Sequence, residues 1–213
     1  MKKHFWKIEY SITIFVIFAI ILMLLPSSFI SSKEAAYISR WNETFHKMDY
    51  TFTAMNAQAD SDIVKSLKKA QTNDEREQLM LKLIKPYLRI SEQDKLTLKY
   101  KPHYMDGSKV LPEDKYYFEN LYISENNIIV GIKDILDDNT YHPAFIMMFD
   151  MNGQKGPNVW GKDIYGINIF VDGKITPLGY DWELEDLKQD CSDNGSGVSC
   201  SHYYRIGGDF NEK

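Results

Sequence analysis

The chain has 213 residues, with 25 basic and 30 acidic side chains and a formal net charge of −5. That balance excludes the basic surface a nucleic-acid binder needs, so no nucleic-acid partner is expected. Once roughly the first 30 residues are set aside, the remaining length is enough for one domain with its own core. The 14 Tyr and 11 Phe suit a β-rich domain packed on a helix.

In chain order, the first element runs from Phe5 to Ala59. It contains the apolar block Ile12–Leu25 and then Pro26, which lacks an N–H and should kink the helix. From Ile38 the apolar positions are Ile38, Trp41, Phe45, Met48, Phe52, Met55 and Ala59, spaced 3, 4, 3, 4, 3, 4. That alternation predicts one buried helix face. Lys33, Glu34, Arg40, Asn42, Glu43 and Lys47 fall on the opposite side. The first half has the character of a membrane segment, and the whole would span roughly 80 Å as a helix. Lys2, Lys3 and Lys7 precede the apolar block, which places the bulk of the chain outside the cytoplasm.

This stretch resembles the N-terminus of type IV pilins and of the pseudopilins of type II secretion. Lys2-Lys3 stand as the basic leader, Phe5 as the first mature residue, Glu9 as the fifth and Pro26 as the twenty-second. The family has Gly, sometimes Ala, before the cut, and this chain has His4 there. The resemblance implies cleavage between His4 and Phe5 by a prepilin peptidase, methylation of the new amine, and pairing of Glu9 with the amine of a neighbouring subunit. It also implies partners: the membrane, other pilin-like subunits in a homo- or hetero-filament, and the platform proteins of a secretion system or pilus. A carboxylate at the edge of an apolar block is costly unless something pairs with it. Two other readings stand beside this one, a secretory signal peptide and a plain single-pass anchor.

Asp60 to Arg89 reads as helical and charged. Asp60 or Ser61 is placed to cap a short helix holding Ile63, Val64 and Leu67. Asn73 is placed to cap a second, with Leu79, Leu83, Ile84 and Leu88 on one side and Pro86 distorting its last turn. After residue 94 the period changes to two, beginning with Leu96, Leu98 and Tyr100. Residues 116–123 and 128–132 predict a hairpin across Ser124–Asn127, and Ala144–Phe149 a buried strand. Residues 167–171 and 174–176 predict a hairpin across Asp172-Gly173.

The segment Asp150–Asp163 is the most distinctive outside the first element. It is dense in Gly and Asn, and such loops gather several oxygens in positive-φ turns. Asp150, Asn152 and Asp163 are the candidate ligands of a hard cation such as Ca²⁺. An EF-hand is excluded, because Gln154 and Lys155 stand where that loop needs an acid and a Gly. The competing reading is a structural turn held by Asx hydrogen bonds. The segment also resembles an Asp-x-Asn-Gly-x-x-Gly-Pro-Asn-x-x-Gly-x-Asp pattern common in pilin-like proteins with this N-terminus. Cys191 and Cys200 read as one disulfide in an exported domain. Between them Asn194–Gly197 reads as a flexible turn. No catalytic residues are assigned. His4, His46, His103, His142 and His202 show no paired spacing, and there is no nucleophile elbow, P-loop or dinucleotide fingerprint.

The expected architecture is therefore α+β, pilin-like: a long N-terminal helix, membrane half plus amphipathic stem, packed on a small antiparallel sheet. Residues 1–4 would be the leader, 5–30 a transmembrane and assembly helix, and 31–213 an extracytoplasmic head. The expected location is the cytoplasmic membrane, crossed once, with the protein acting as a pilin or pseudopilin subunit of a filament. The alternative is a membrane-anchored or secreted binding domain that does not polymerise.

Overall fold

The computed structural model describes residues 2–58, 67, 70, 72–90, 101–124, 126–136 and 142–208, with side chains for all of these except 2–9 and 22–32. Helix α1 covers Lys2–Gln58 and α2 covers Asn73–Leu88. Five strands follow: β1 (Leu121–Ile123), β2 (Ile129–Asp134), β3 (Pro143–Asp150), β4 (Ile164–Phe170) and β5 (Ile175–Pro177). Two short helices, α3 (Leu184–Asp190) and α4 (Cys200–Tyr203), and a 3₁₀ turn at Tyr204–Ile206 complete the described chain. The expected strand at Leu96–Tyr100 and the expected helix around Ile63 and Val64 fall outside the described residues; Leu67 is described and buried.

The chain divides into two units, Met1–Ala36 and Tyr37–Lys213. This corrects the expectation of one long N-terminal helix packed on the sheet. In the first unit the side chains described before Lys33 are those of Tyr10–Ile21, a short run. Such a run spans only about 18 Å at 1.5 Å per residue, against about 30 Å of bilayer hydrocarbon. Among the described residues no helix is long and apolar enough to cross a membrane, so the expected transmembrane helix and single-pass location are not supported.

Within the second unit the 3-4 spacing does its work over Tyr37–Gln58. Trp41, Phe45, Met48, Phe52 and Met55 are buried, while Glu43, His46 and Lys47 face solvent. Helix α2 starts one residue earlier than the sequence suggested. Thr72, not Asn73, is the N-cap, its Oγ1 accepting from the Glu75 N–H at 3.2 Å. Its buried stripe is Met80, Ile84 and Leu88, an i, i+4 row, and Leu79 is turned outward. Pro86 does not end it; the helix closes at Arg89, in the left-handed region at φ 51°.

The sheet is an antiparallel meander in the order β1-β2-β3-β4-β5. Both expected hairpins form, with Ile123 opposite Ile129 and Ile169 opposite Ile175. The central strand β3 is buried on both faces. Phe145, Met147 and Phe149 join Trp41, Phe45, Met48, Phe52 and the α2 stripe in one core. Ile146 and Met148 join Ile164, Phe118, Val110, Trp160 and Leu178 in another. Burial of such a side chain is worth roughly 1.5–3 kcal/mol, so these two layers supply most of the driving force. The second face is covered by irregular chain, and glycine makes that possible. A Cβ on Gly131 would lie 2.9 Å from the Phe118 ring, and one on Gly166 would lie 2.6 Å from Leu178.

Candidate functional site

The structure brings Asp150, Asn152 and Asp163 together. Asp150 ends β3 and Asp163 precedes β4, so the loop between them is a long hairpin connection whose ends the register holds side by side. The Asp150 carboxylate accepts from the N–H groups of Asn152 and Gly153, both at 3.0 Å. Asp163 is fully buried. Its Oδ1 accepts from the Val159 N–H at 2.6 Å, and its Oδ2 from the Asn158 N–H and the Asn152 Nδ2, both at 2.8 Å. Burial pushes the Asp163 carboxyl above its ordinary value, and the bonds from Val159, Asn158 and Asn152 pull it back down.

The donors facing the Asp163 carboxylate and Asp150 Oδ1 are N–H groups, which is the chemistry of a turn lock. A cation in the same place would have to displace them. Asn152 Oδ1 is buried and unpaired among the described residues, but one amide oxygen is not a coordination shell. No group of three or more His, Cys, Asp or Glu side chains able to hold a metal ion occurs among the described residues. The loop also anchors the helix: Asn152 Nδ2 lies 3.2 Å from the Tyr37 hydroxyl, and Thr44 Oγ1 reaches Met151 Sδ at 3.9 Å.

Cys191 and Cys200 form a disulfide, with Cα atoms 5.4 Å apart. The turn it encloses is pinned rather than free. Asp190 Oδ1 accepts from the N–H and the hydroxyl of Ser196, and its Oδ2 from the Ser199 N–H. Backbone N–H groups of Met105 and Asp106 donate to the carbonyls of Ser196 and Gly195. The acid that organises this turn, Asp190, lies one residue outside the cysteine pair, which is why the enclosed sequence alone reads as flexible.

His4, Phe5, Glu9 and Pro26, the processing and assembly residues implied by the resemblance, have side chains outside the described residues. Beside them, Tyr10–Ile21 is described. Ile14 is 65% exposed, Phe15 73% and Phe18 59%, and Ile12, Ile17 and Ile20 are exposed as well. Exposed apolar residues therefore fall on every side of this helical run.

Two further constellations gave no signal in the sequence. The first joins α2 to β2. Arg76 pairs with the buried Asp134 at 2.6 Å, while Glu77 accepts from the Asp134 N–H at 2.9 Å and from Asn120 Nδ2 at 2.7 Å. Burial raises the Glu77 carboxyl above its ordinary value. The second is a cavity of about 310 Å³ lined by Phe45 and Asp49 of α1, by Lys174 and β5, and by Tyr180, His202, Arg205 and Ile206.

No protein-family model matches the chain, and no curated protein or solved structure matches it either.

Proposed function

We propose that the chain is a structural subunit, of the pilin or pseudopilin kind, that assembles into a filament through its N-terminal apolar helix. The observation that supports the reading is the exposure of Tyr10–Ile21. A helix that is apolar all round is stable in water only when something covers it. Equivalent helices of neighbouring subunits are a cover with matching chemistry. The resemblance at Phe5, Glu9 and Pro26 supports the same reading, with Glu9 pairing to the neighbour's amine after a peptidase cut at Phe5.

The test is assembly of the full chain, followed by sedimentation velocity and electron microscopy. The parent chain forms elongated particles. Phe15→Gln together with Ile14→Gln should reduce assembly at least tenfold in the concentration required, and Glu9→Val should abolish ordered filaments. Unfolding of the second unit, followed by circular dichroism, should not change. Filaments of unaltered length and stability from both variants would refute the reading and favour a binding domain that does not polymerise.

A further inference from the structure

Three of the side chains that line the cavity between α1, β5 and the turn at His202–Ile206 each carry a buried polar atom with no partner. Thr176 is 3% exposed, and its Oγ1 makes no hydrogen bond. His202 Nδ1 and Arg205 Nη1 are likewise buried and unpaired. Such groups are rare in native proteins; of the seven found among the described residues, three belong to residues that line this one cavity, and that clustering marks a place where something else supplies the partners. All three are able to donate, Thr176 through its hydroxyl, Arg205 through Nη1–H and His202 in its Nδ1–H tautomer.

The wall charges decide the sign of the ligand. Arg205 and Lys174 are cations and Asp49 is an anion, and all three line the cavity. The guanidinium of Arg205 lies 3.6 Å from the Phe45 ring centroid, which holds it in place without using its N–H groups. Lys174 Nζ sits 5.6 Å from the Tyr180 ring centroid. Burial lowers the basicity of His202, which favours the neutral imidazole. Two cations stand against one anion in the lining, and Asp181 also acts on His202, so the walls match at most a single carboxylate and a phosphate dianion would over-fill them. Ile175, Pro177, Ile206 and the Tyr180 ring supply apolar wall beside these donors. A volume near 310 Å³ is at the lower end of small-molecule sites.

We propose that this cavity binds a small monocarboxylate with an apolar body, its carboxylate on Arg205, Lys174 and Thr176 and its body against Ile175, Ile206 and Tyr180. The site is independent of the assembly reading, since its residues all belong to the unit Tyr37–Lys213.

The experiment is calorimetric titration of the full chain with sodium benzoate, with benzamide as the neutral isostere and inorganic phosphate as the dianion. Benzoate should bind saturably at one site, at least tenfold tighter than either control. Arg205→Gln should weaken benzoate at least tenfold. Arg205 also packs on Phe45, so a second variant guards against loss of fold. Thr176→Val is isosteric, removes an unpaired buried hydroxyl and should leave the thermal midpoint equal or higher, yet weaken benzoate about fivefold. Absence of saturable benzoate binding up to 20 mM, about twenty times a 1 mM Kd, would overturn the proposal. So would benzamide or phosphate binding as tightly as benzoate, or a folded Thr176→Val chain with unchanged affinity.

Discussion

Trp41 decides whether the Tyr37–Gln58 stretch is part of the folded head or only a stalk that carries it. Its side chain is fully buried and stacks on Tyr165 of β4, with ring centroids 5.3 Å apart. It meets Phe45 edge-on at 5.9 Å, and its Nε1 donates to the Ser201 carbonyl at 2.8 Å. One residue thus ties α1 to β4 and to α4. Trp41→Ala should cost about 4–5 kcal/mol, the upper part of the range for large aromatic truncations, because a cavity opens and the Ser201 carbonyl loses its donor. Trp41→Phe keeps the stack and loses the donor, and should cost about 1.5–2.5 kcal/mol. Guanidinium unfolding of the full chain, followed by far-ultraviolet circular dichroism, reads both costs as shifts in midpoint at constant slope. Tyr50→Ala, at a position 76% exposed on the same helix, is the control and should stay within about 0.5 kcal/mol. A cost below about 1.5 kcal/mol for Trp41→Ala, or equal costs for Ala and Phe, would refute the view that this helix face completes the core.

Three further outcomes are expected. Asp163→Asn keeps the volume but sets an NH₂ against the N–H of Val159 or Asn158, and should cost about 2 kcal/mol in the same assay. Reduction of Cys191–Cys200, or the paired change to Ser, should cost about 2–3 kcal/mol, the loop-closure term for a sequence separation of 9. Glu77 titrates above its ordinary 4.5 when folded, so its contribution to stability is complete below that value and is lost as pH rises through the raised one. Glu77→Gln should flatten that part of the stability-against-pH curve, with Asn120 free to turn its unpaired Oδ1 toward the new amide. An unchanged pH profile would show that Glu77 is not the group responsible.

Periodicity told the truth where one face meets one core. The 3-4 row from Trp41 to Met55 and the hairpins at Ser124–Asn127 and Asp172-Gly173 were legible because each is set by residues near one another in sequence. The stripe of α2 was misread by one residue, since Leu79 and Met80 are equally apolar and only the position of Ile84 and Leu88 against the sheet selects between them. The reach of the N-terminal helix was over-read for a different reason. Continuous helical pattern says nothing about where one compact unit gives way to the next, here between Ala36 and Tyr37. The three residues of the Asp150–Asp163 loop were grouped correctly, but oxygen-rich sequence does not distinguish a cation shell from a ring of backbone donors. Only the N–H groups of Gly153, Asn158 and Val159 make that distinction, and every residue but proline carries one.

The cavity was illegible for a reason that also bears on what it does. Its walls come from β5, from the turn at His202–Ile206 and from a helix face more than a hundred residues earlier, so no local pattern could bring them together. Asp163, Asp190 and Asp134 each take a backbone N–H donor close in sequence, and the unpaired Asn120 Oδ1 and Asn152 Oδ1 stand singly in other parts of the fold. A site that instead leaves a threonine hydroxyl, an imidazole nitrogen and a guanidinium nitrogen unpaired carries a standing desolvation cost at each. Removing the Thr176 hydroxyl should therefore stabilise the fold while weakening the ligand. Opposite signs for stability and binding at one buried residue are what separate a binding site from a packing defect.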